Sequence, residues 1–242
     1  MTYGAATDIG RVRHINEDNY AISENATFPF AIVADGMGGH KAGEKASLMA
    51  IETVRAELMK KLTDDMDYVE AGETARRAFI EANSGIYNYS KLHYKVMGMG
   101  TTATLAMFHS DKLITAHVGD SRAYIIDNEN ITQVTRDHSY VQELVMRGEI
   151  TPEQAKRHPN KNYITRAMGA EEAVKVDINI RPYKGEKVLL CSDGLTNMLD
   201  DDEIFDIINK YSDLHAAAQK LIDRANEAGG NDNITVVVLE RK

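Results

Sequence analysis

Cysteine is almost absent from this sequence, since Cys191 is the only one in 242 residues. A single cysteine cannot form an intramolecular disulfide, which fits a reducing compartment. The N-terminus lacks the basic start and apolar run of a signal peptide, and the longest apolar runs, such as Val236–Leu239, are too short to cross a bilayer. We therefore expect a cytoplasmic protein with no membrane partner.

Positive charge is also scarce, because 28 Lys and Arg residues face 37 Asp and Glu residues and leave a formal net charge of −9. Such a surface repels nucleic acid, so we expect no nucleic-acid partner. It would also repel a phosphorylated substrate, unless a local positive charge such as a bound metal ion outweighs it. No Pro/Gly/Ser-rich linker and no repeat divides the chain. We therefore expect one domain over residues 1–242, acting as a monomer.

The spacing of apolar residues predicts helices in pairs and strands in runs. The predicted helices are Glu44–Leu62, Tyr68–Leu92, Ser139–Arg147, Asp201–Tyr211 and Leu214–Ala228. The predicted strands are Thr2–Thr7, Asn19–Ser23, Phe28–Ala34, Thr101–Phe108, Leu113–Val118, Arg122–Ile126, Ile131–Val134, Val174–Ile180, Val188–Cys191 and Asn233–Glu240. Because helices and strands do not alternate strictly, the pattern favours an α+β sandwich of antiparallel sheets over a doubly wound parallel sheet.

Four aspartates lie at predicted strand boundaries close to glycine, namely Asp35, Asp120, Asp193 and Asp232. Each one alone is explained by the frequency of Asp and Gly in turns. Together they predict more, because adjacent antiparallel strands bring their ends together and crowded carboxylates repel one another. A hard divalent cation relieves this repulsion, and an all-oxygen set without cysteine points to Mg²⁺ or Mn²⁺ rather than Zn²⁺.

Two further side chains suit phosphate chemistry, although each also has a structural interpretation. Arg13 offers a planar fork for two phosphate oxygens, or it is a surface arginine paired with Glu17 or Asp18. His40, in Asp35-Gly36-Met37-Gly38-Gly39-His40, lies near the predicted metal and could protonate a leaving group, or it caps the following helix. No Gly-Lys-Ser/Thr follows these glycines, so the segment is not a P-loop.

Seven segments in the same order resemble the bacterial type 2C metal-dependent protein phosphatases, the PPM family, over nearly the whole chain. They are Thr7-Asp8-Ile9-Gly10-Arg11-Val12-Arg13 with Asn16-Glu17-Asp18; Ala34-Asp35-Gly36-Met37-Gly38-Gly39-His40; Met99-Gly100-Thr101-Thr102; Val118-Gly119-Asp120-Ser121-Arg122-Ala123-Tyr124; Asp137-His138-Ser139; Cys191-Ser192-Asp193-Gly194-Leu195; and Gly230-Asn231-Asp232-Asn233-Ile234-Thr235. The resemblance implies a four-layer α-β-β-α sandwich, in which a helix pair flanks each of two antiparallel sheets.

The resemblance also implies a set of metal ligands for two Mn²⁺ or Mg²⁺ ions. Asp35 matches the carboxylate shared by both ions, and Gly36 matches a backbone carbonyl ligand. Asp193 and Asp232 match the remaining carboxylates at the first ion. Asp120 matches a ligand of a third, weaker ion, although it could instead pair with the nearby arginine of its own turn, Arg122.

The remaining roles implied by the resemblance concern substrate and water. Arg13 matches the phosphate-binding arginine and His40 the general acid, whereas Glu17 and Asp18 match acids that orient metal-bound waters. The irregular stretch Gly148–Gly169 matches a flap beside the active site.

The implied reaction is hydrolysis of phosphoserine and phosphothreonine in proteins by direct attack of a water that bridges the two ions, reversing a bacterial Ser/Thr kinase. Two rivals remain open at this point: a phosphatase-like binding module without turnover, and a phosphatase acting on a small phosphorylated metabolite. A deep, closed pocket would favour the metabolite, and a shallow site would favour proteins.

Overall fold

The computed structural model describes residues 1–38 and 42–241. In chain order the strands are β1 (Thr2–Asp8), β2 (Asp18–Ser23), β3 (Phe30–Met37), β4 (Gly100–Thr101), β5 (Ala103–His109), β6 (Lys112–Val118), β7 (Arg122–Ile126), β8 (Ile131–Gln133), β9 (Asp177–Pro182), β10 (Lys187–Cys191) and β11 (Ile234–Glu240). The helices are α1 (Ala42–Lys61), α2 (Tyr68–Leu92), α3 (Tyr140–Met146), α4 (Pro152–Lys156), α5 (Asp193–Thr196), α6 (Asp201–Lys210) and α7 (Leu214–Glu227), and a 3₁₀ turn covers Tyr94–Val96.

The strands form two sheets in which all neighbours are antiparallel. The first sheet has the order β1-β11-β10-β7-β8, and the second has β2-β3-β5-β6-β9, with β4 paired to β3. Strand alternation turns one set of side chains towards the other sheet and the next set towards the helices. The α+β class predicted from the sequence is therefore confirmed.

Three apolar layers hold this arrangement together. Between the sheets, side chains such as Phe108 and Val237 are fully buried. Helices α1 and α2 cover the outer face of the second sheet, and α5, α6 and α7 cover the outer face of the first. The order of layers is therefore α-β-β-α. Among the described residues, no helix combines the length and apolar character that crossing a bilayer requires.

Helix α1 shows how the apolar spacing creates these layers. Ala46, Ala50, Val54 and Leu58 recur every three or four residues and are all fully buried against the second sheet. Met49 packs beside them and is partly buried. The apolar residues at helical spacing thus form the face that the structure buries.

Two predicted elements differ from the structure. The strand predicted at Val174–Ile180 begins only at Asp177, because Val174 and Val176 pack into the core beneath α2 instead of pairing with β6. The segment Gly148–Gly169, predicted to be irregular, contains the short helix α4. There Thr151 and Gln154 form a capping box and Pro152 starts the helix, a local signal that was present in the sequence.

Candidate active site

Strand pairing places two of the predicted site residues opposite each other. Asp18 on β2 lies in register with Asp35 on β3. Asp18 is buried, and its Oδ2 accepts a 2.7 Å hydrogen bond from Ser192 Oγ, 174 residues further along the chain. Ser192 follows β10 of the first sheet, whereas Asp18 belongs to the second. This bond therefore joins the two sheets where the carboxylates gather.

Asp193 and Asp232 come from the first sheet. Asp193 is the first residue of α5, separated from the end of β10 by Ser192, and its Oδ2 accepts a 2.9 Å hydrogen bond from Asn197. Asp232 lies in the turn before β11, and its Oδ1 accepts a 2.8 Å bond from the Asn233 backbone N–H. A Cβ on Gly194 would stand 2.0 Å from the carbonyl oxygen of Asn233, so only glycine lets these two segments approach so closely.

Asp120 occupies the turn between β6 and β7, where Gly119 adopts a φ of 113°. The sequence left open whether Asp120 pairs with Arg122. In the structure Arg122 donates to Asp137 instead, with Nη2–Oδ2 at 2.7 Å and Nε–Oδ1 at 3.0 Å. Asp120 is buried, and its Oδ1 has no hydrogen-bond partner in the part of the chain that the structure describes. Arg122 is therefore not the ion-pair partner of Asp120, and the structural alternative for Asp120 is not observed.

Five aspartates converge here, and we name them the aspartate cluster; the pKa values of four of them are raised. The members are Asp18, Asp35, Asp120, Asp193 and Asp232. Desolvation is the largest cause, and it raises the pKa of Asp18 to about 7. Desolvation and then repulsion from other members hold the pKa of Asp35 and of Asp120 well above the usual range. The pKa of Asp193 is raised by desolvation and by Asp232. Burial and mutual repulsion therefore oppose the ionisation of these carboxyl groups unless a cation compensates their charge.

A divalent cation suits this donor set. All the donors are oxygens, and Asp18 Oδ1 and Asp120 Oδ1 are buried without partners among residues 1–38 and 42–241. Within the same residues, no group of three or more His, Cys, Asp or Glu side chains is arranged so that it could hold a metal ion as it stands. The Oδ2 atoms of two members already accept hydrogen bonds: Asp232 Oδ2 accepts from Arg13, and Asp18 Oδ2 accepts from Ser192. The residues fit the ions by chemistry and convergence.

Gly36, predicted to offer its carbonyl to a metal, lies where β3 passes the start of α1. A Cβ at Gly36 would stand 2.1 Å from the Gly43 carbonyl oxygen and 2.7 Å from that of Glu17. Its backbone N–H donates to the Glu17 carbonyl at 3.2 Å. The absence of a side chain is thus what allows the backbone beside Asp35 to fit here.

Glu17 is placed between the two sheets and α1. Its Oε1 accepts a 3.1 Å bond from the Gly43 N–H, and its carbonyl accepts a 2.5 Å bond from Ser47 Oγ. Desolvation raises its pKa, although the Gly43 hydrogen bond opposes this. Glu17 thus lies beside Asp18 and Gly36, and its role in orienting water stays a prediction.

Arg13 reaches the cluster from an exposed loop. Its Nη2 lies 2.7 Å from Asp232 Oδ2, and its side chain is 48% exposed. The alternative pairing predicted for Arg13, with Glu17 or Asp18, is therefore wrong, since the ion pair forms with a residue 219 positions away. The solvent-exposed guanidinium retains donors for a ligand. His40 lies outside the described residues, so its predicted role stays a prediction.

Sequence reasoning missed the side chains that lock the site. The Asn233 side chain accepts from the Glu17 N–H and donates to the carbonyls of Ile9 and Ile15, which fixes the loop that carries Arg13. Thr102 Oγ1 accepts from the Asp35 N–H at 2.9 Å. Asn233 and Thr102 each precede an apolar strand, and this position was the only local sign of their role in fixing the site.

The single cysteine, Cys191, is fully buried. Burial raises the pKa of this thiol to about 12. A thiol with that pKa is protonated at neutral pH and cannot act as a nucleophile.

Comparison with known proteins identifies the family. A model of the family described as Protein phosphatase 2C matches residues 11–233. The serine/threonine phosphatase stp of Listeria welshimeri is 43% identical over 237 residues, covering 97% of this chain and 94% of that protein. The crystal structure of Stp1 from Staphylococcus aureus gives a TM-score of 0.94 at 34% identity, covering 99% of this chain and 94% of that one. The chain therefore belongs to the protein phosphatase 2C family.

A further solved structure bears on the metal. The catalytic domain of the serine/threonine protein phosphatase PstP, in complex with two manganese ions, gives a TM-score of 0.84 at 36% identity. It covers 98% of this chain and 96% of that chain. The family membership predicted from the seven sequence segments is thus confirmed, and this similarity supports the use of divalent metal.

Proposed function

We propose that this chain hydrolyses phosphoserine and phosphothreonine in proteins with the aid of Mn²⁺ or Mg²⁺. The observation that carries the proposal is the aspartate cluster: five carboxylates converge, the pKa values of Asp18, Asp35, Asp120 and Asp193 are raised, and two buried oxygens have no partner among the described residues. Such a cluster is poorly suited to a purely structural role, because buried charge without compensation is costly. Its family and its named relatives support the same activity.

In this proposal Asp35, the carbonyl of Gly36, Asp193 and Asp232 hold two ions, and Asp120 holds a third, weaker one. Bound ions of this kind act as Lewis acids that neutralise charge on a phosphoryl group and lower the pKa of water. The PstP structure with two manganese ions supports the number for the tight pair. The nucleophile in this proposal is water and not a side chain, so no phosphoenzyme intermediate is needed.

The chain's own residues then bind the phosphate and manage protons. Arg13, half exposed beside Asp232, places its guanidinium fork against two phosphate oxygens and offsets their charge. Glu17 and Asp18 accept hydrogen bonds from water and orient it. His40 gives a proton to the departing serine or threonine oxygen, which is a poor leaving group without one.

A protein substrate fits the surroundings of the cluster better than a small metabolite. Asp120 and Asp193 share a groove of about 550 Å³ with residues of α3, α4 and the start of α6. Apolar and charged side chains mix in its lining, for example Val141, Val145 and Lys156. Such a lining accommodates a stretch of polypeptide. We further propose that the enzyme acts as a cytoplasmic monomer and opposes a Ser/Thr kinase in signalling.

Turnover with three substrates tests this function. The Mn²⁺-loaded chain should hydrolyse a phosphoserine peptide and an aryl phosphate, lose both activities in EDTA, and regain them with Mn²⁺ or Mg²⁺. A small phosphorylated metabolite should be a poor substrate. Binding of the phosphopeptide without any release of phosphate would favour the binding module instead, and preference for the metabolite would contradict the protein-substrate assignment.

A further inference from the structure

A second groove, of about 350 Å³, shares no lining residue with the groove beside the aspartate cluster. It lies where β6 and β9 of the second sheet face the segment that follows β8 of the first. Its lining includes Thr115, His117, Arg136, Lys175, Asp177 and Asn179. We name it the cationic groove. None of these residues has a part in the proposed hydrolysis.

The floor of the cationic groove holds an unused hydroxyl. Thr115 is 2% exposed, and its hydroxyl makes no hydrogen bond within residues 1–38 and 42–241. The neighbouring floor residues are already engaged. Thr135 Oγ1 accepts from the Ala123 N–H at 3.0 Å, and His117 contacts Thr104 Oγ1 at 2.9 Å and the Arg136 carbonyl at 3.2 Å. The Thr115 hydroxyl is therefore available to a ligand that enters the groove.

The rim of the groove is cationic. The side chains of Arg136 and Lys175 line it, and neither makes an ion pair or hydrogen bond with any other residue that the structure describes. A third cation, Arg76, donates to the Val176 carbonyl at 2.6 Å and is paired with Glu73 Oε2 at 3.1 Å, so its charge is already compensated. The Asn179 side chain likewise has no partner among the described residues. On a chain with a net charge of −9, this is a local concentration of free donors.

The single carboxylate in the lining does not cancel this charge. Asp177 Oδ1 lies 2.9 Å from Arg166 Nη1, and Asp177 Oδ2 lies 3.2 Å from His138 Nε2. Its negative charge is thus already compensated by Arg166. The two free cations of the rim remain available to an anion.

We propose that the cationic groove binds a phosphate-type oxyanion, either free inorganic phosphate or a phosphoryl group carried by a protein. A tetrahedral oxyanion has enough acceptor oxygens for the Arg136 fork, the Lys175 ammonium, the Thr115 hydroxyl and the Asn179 amide together. The site is separate from the aspartate cluster, so it does not depend on the proposed catalysis.

The groove is linked to the aspartate cluster by a short chain of contacts. His138, which contacts Asp177, accepts at Nδ1 a 3.0 Å hydrogen bond from the N–H of Gly119, the residue before Asp120. The His138 carbonyl accepts a 2.8 Å bond from the Thr165 N–H, in the segment Gly148–Gly169. An oxyanion beside Asp177 should therefore perturb the backbone amides of Gly119 and Thr165.

The test is a titration of the full chain, loaded with diamagnetic Mg²⁺, with inorganic phosphate under ¹⁵N–¹H NMR. We expect saturable shifts at the amides of the groove, such as Thr115 and Asn179, and smaller shifts at Gly119 and Thr165. Arg136→Ala combined with Lys175→Ala should weaken binding at the groove about tenfold or more, because two charge-assisted bonds are lost. Thr115→Val, which keeps the volume, should weaken it about threefold.

The matched control is Arg55→Ala combined with Lys60→Ala, which removes the same charge from the exposed side of α1. This control should leave groove affinity unchanged. A second arm uses a phosphonate peptide that cannot be hydrolysed. Groove shifts with both ligands indicate a carried phosphoryl group, and shifts with inorganic phosphate alone indicate the free anion. Shifts confined to the aspartate cluster, or equal loss in the control variant, would overturn the proposal.

Discussion

The aspartate cluster and the neighbouring Arg122–Asp137 pair are both at least partly buried, yet they differ in how the charge of their carboxylates is compensated. Asp137 receives hydrogen bonds from Arg122 and from Gln133 Nε2, the latter at 2.7 Å, so its charge is compensated within the fold. The cluster contains five carboxylates, and the contact with Arg13 lies at its exposed rim. A compensated pair holds structure, whereas an uncompensated cluster leaves room for an external cation.

The largest effect should come from removing one carboxylate of the cluster. Asp193→Asn keeps the shape but lowers the charge offered to the ions, so we expect phosphopeptide turnover to fall by about 10³-fold. The variant should fold, and in EDTA it should unfold at a higher temperature than the wild type because repulsion is relieved. Steady-state kinetics and calorimetry check both expectations. Turnover near the wild-type level would remove Asp193 from the site.

Breaking the compensated Arg122–Asp137 pair should destabilise the fold, whereas removing a carboxylate of the cluster should stabilise the metal-free protein. Arg122→Met leaves Asp137 without its guanidinium, at a place where the two side chains are 28% and 11% exposed. We expect a loss of about 3 kcal/mol in the free energy of unfolding, in EDTA and in Mg²⁺ alike. Urea denaturation measures it. The control Arg77→Met breaks an exposed pair and should cost less than about 1 kcal/mol. Equal losses in the two variants would contradict the comparison.

Asp120 tests whether the cluster extends to a third, peripheral ion. Asp120→Ala should leave the fold and the tight pair of ions intact while kcat falls by about 10²-fold, because charge near the leaving group is no longer offset. Metal stoichiometry in crystals soaked in excess Mn²⁺ and phosphopeptide turnover are the measurements. A variant that keeps the wild-type kcat, or loses the tight pair as well, would show a different role for Asp120.

The smallest effect is expected at the rim of the cluster. Arg13 contacts the phosphate already in the ground state, so Arg13→Ala should raise KM for a phosphopeptide about tenfold and change kcat less. If Arg13 served only to hold Asp232 in place, the Arg13→Ala substitution would instead lower the affinity for Mn²⁺. Measuring KM, kcat and Mn²⁺ affinity on the same variant distinguishes these two roles.

The sequence predicted the cluster's members better than the contacts that fix them. Asp35 and Asp193 stand beside glycine at strand boundaries, which is a local pattern that can be read from the chain. The hydrogen bond from Ser192 to Asp18 and the ion pair from Arg13 to Asp232 depend on how the two sheets pack, with separations of 174 and 219 residues. No local pattern contains that information, and for this reason the structural alternative for Arg13, a pair with Glu17 or Asp18, was wrong.

The same contrast between local patterns and distant contacts applies to the fold. Regular apolar spacing predicted the helix that the structure shows as α1, because a helix repeats one local geometry. The start of β9 was misplaced because Val174 and Val176 pack into the core beneath α2 and do not pair with a neighbouring strand. Apolar character alone does not tell which neighbour a residue will contact.

The most direct test of the account is a count of Mn²⁺ ions bound to the metal-stripped chain by equilibrium dialysis. If the aspartate cluster is a cation site, the wild type should bind two ions tightly, and phosphopeptide turnover should rise in step with their binding. Asp193→Asn should bind them much more weakly. Absence of saturable Mn²⁺ binding, or identical binding by the wild type and Asp193→Asn, would contradict the assignment of the cluster as the metal centre.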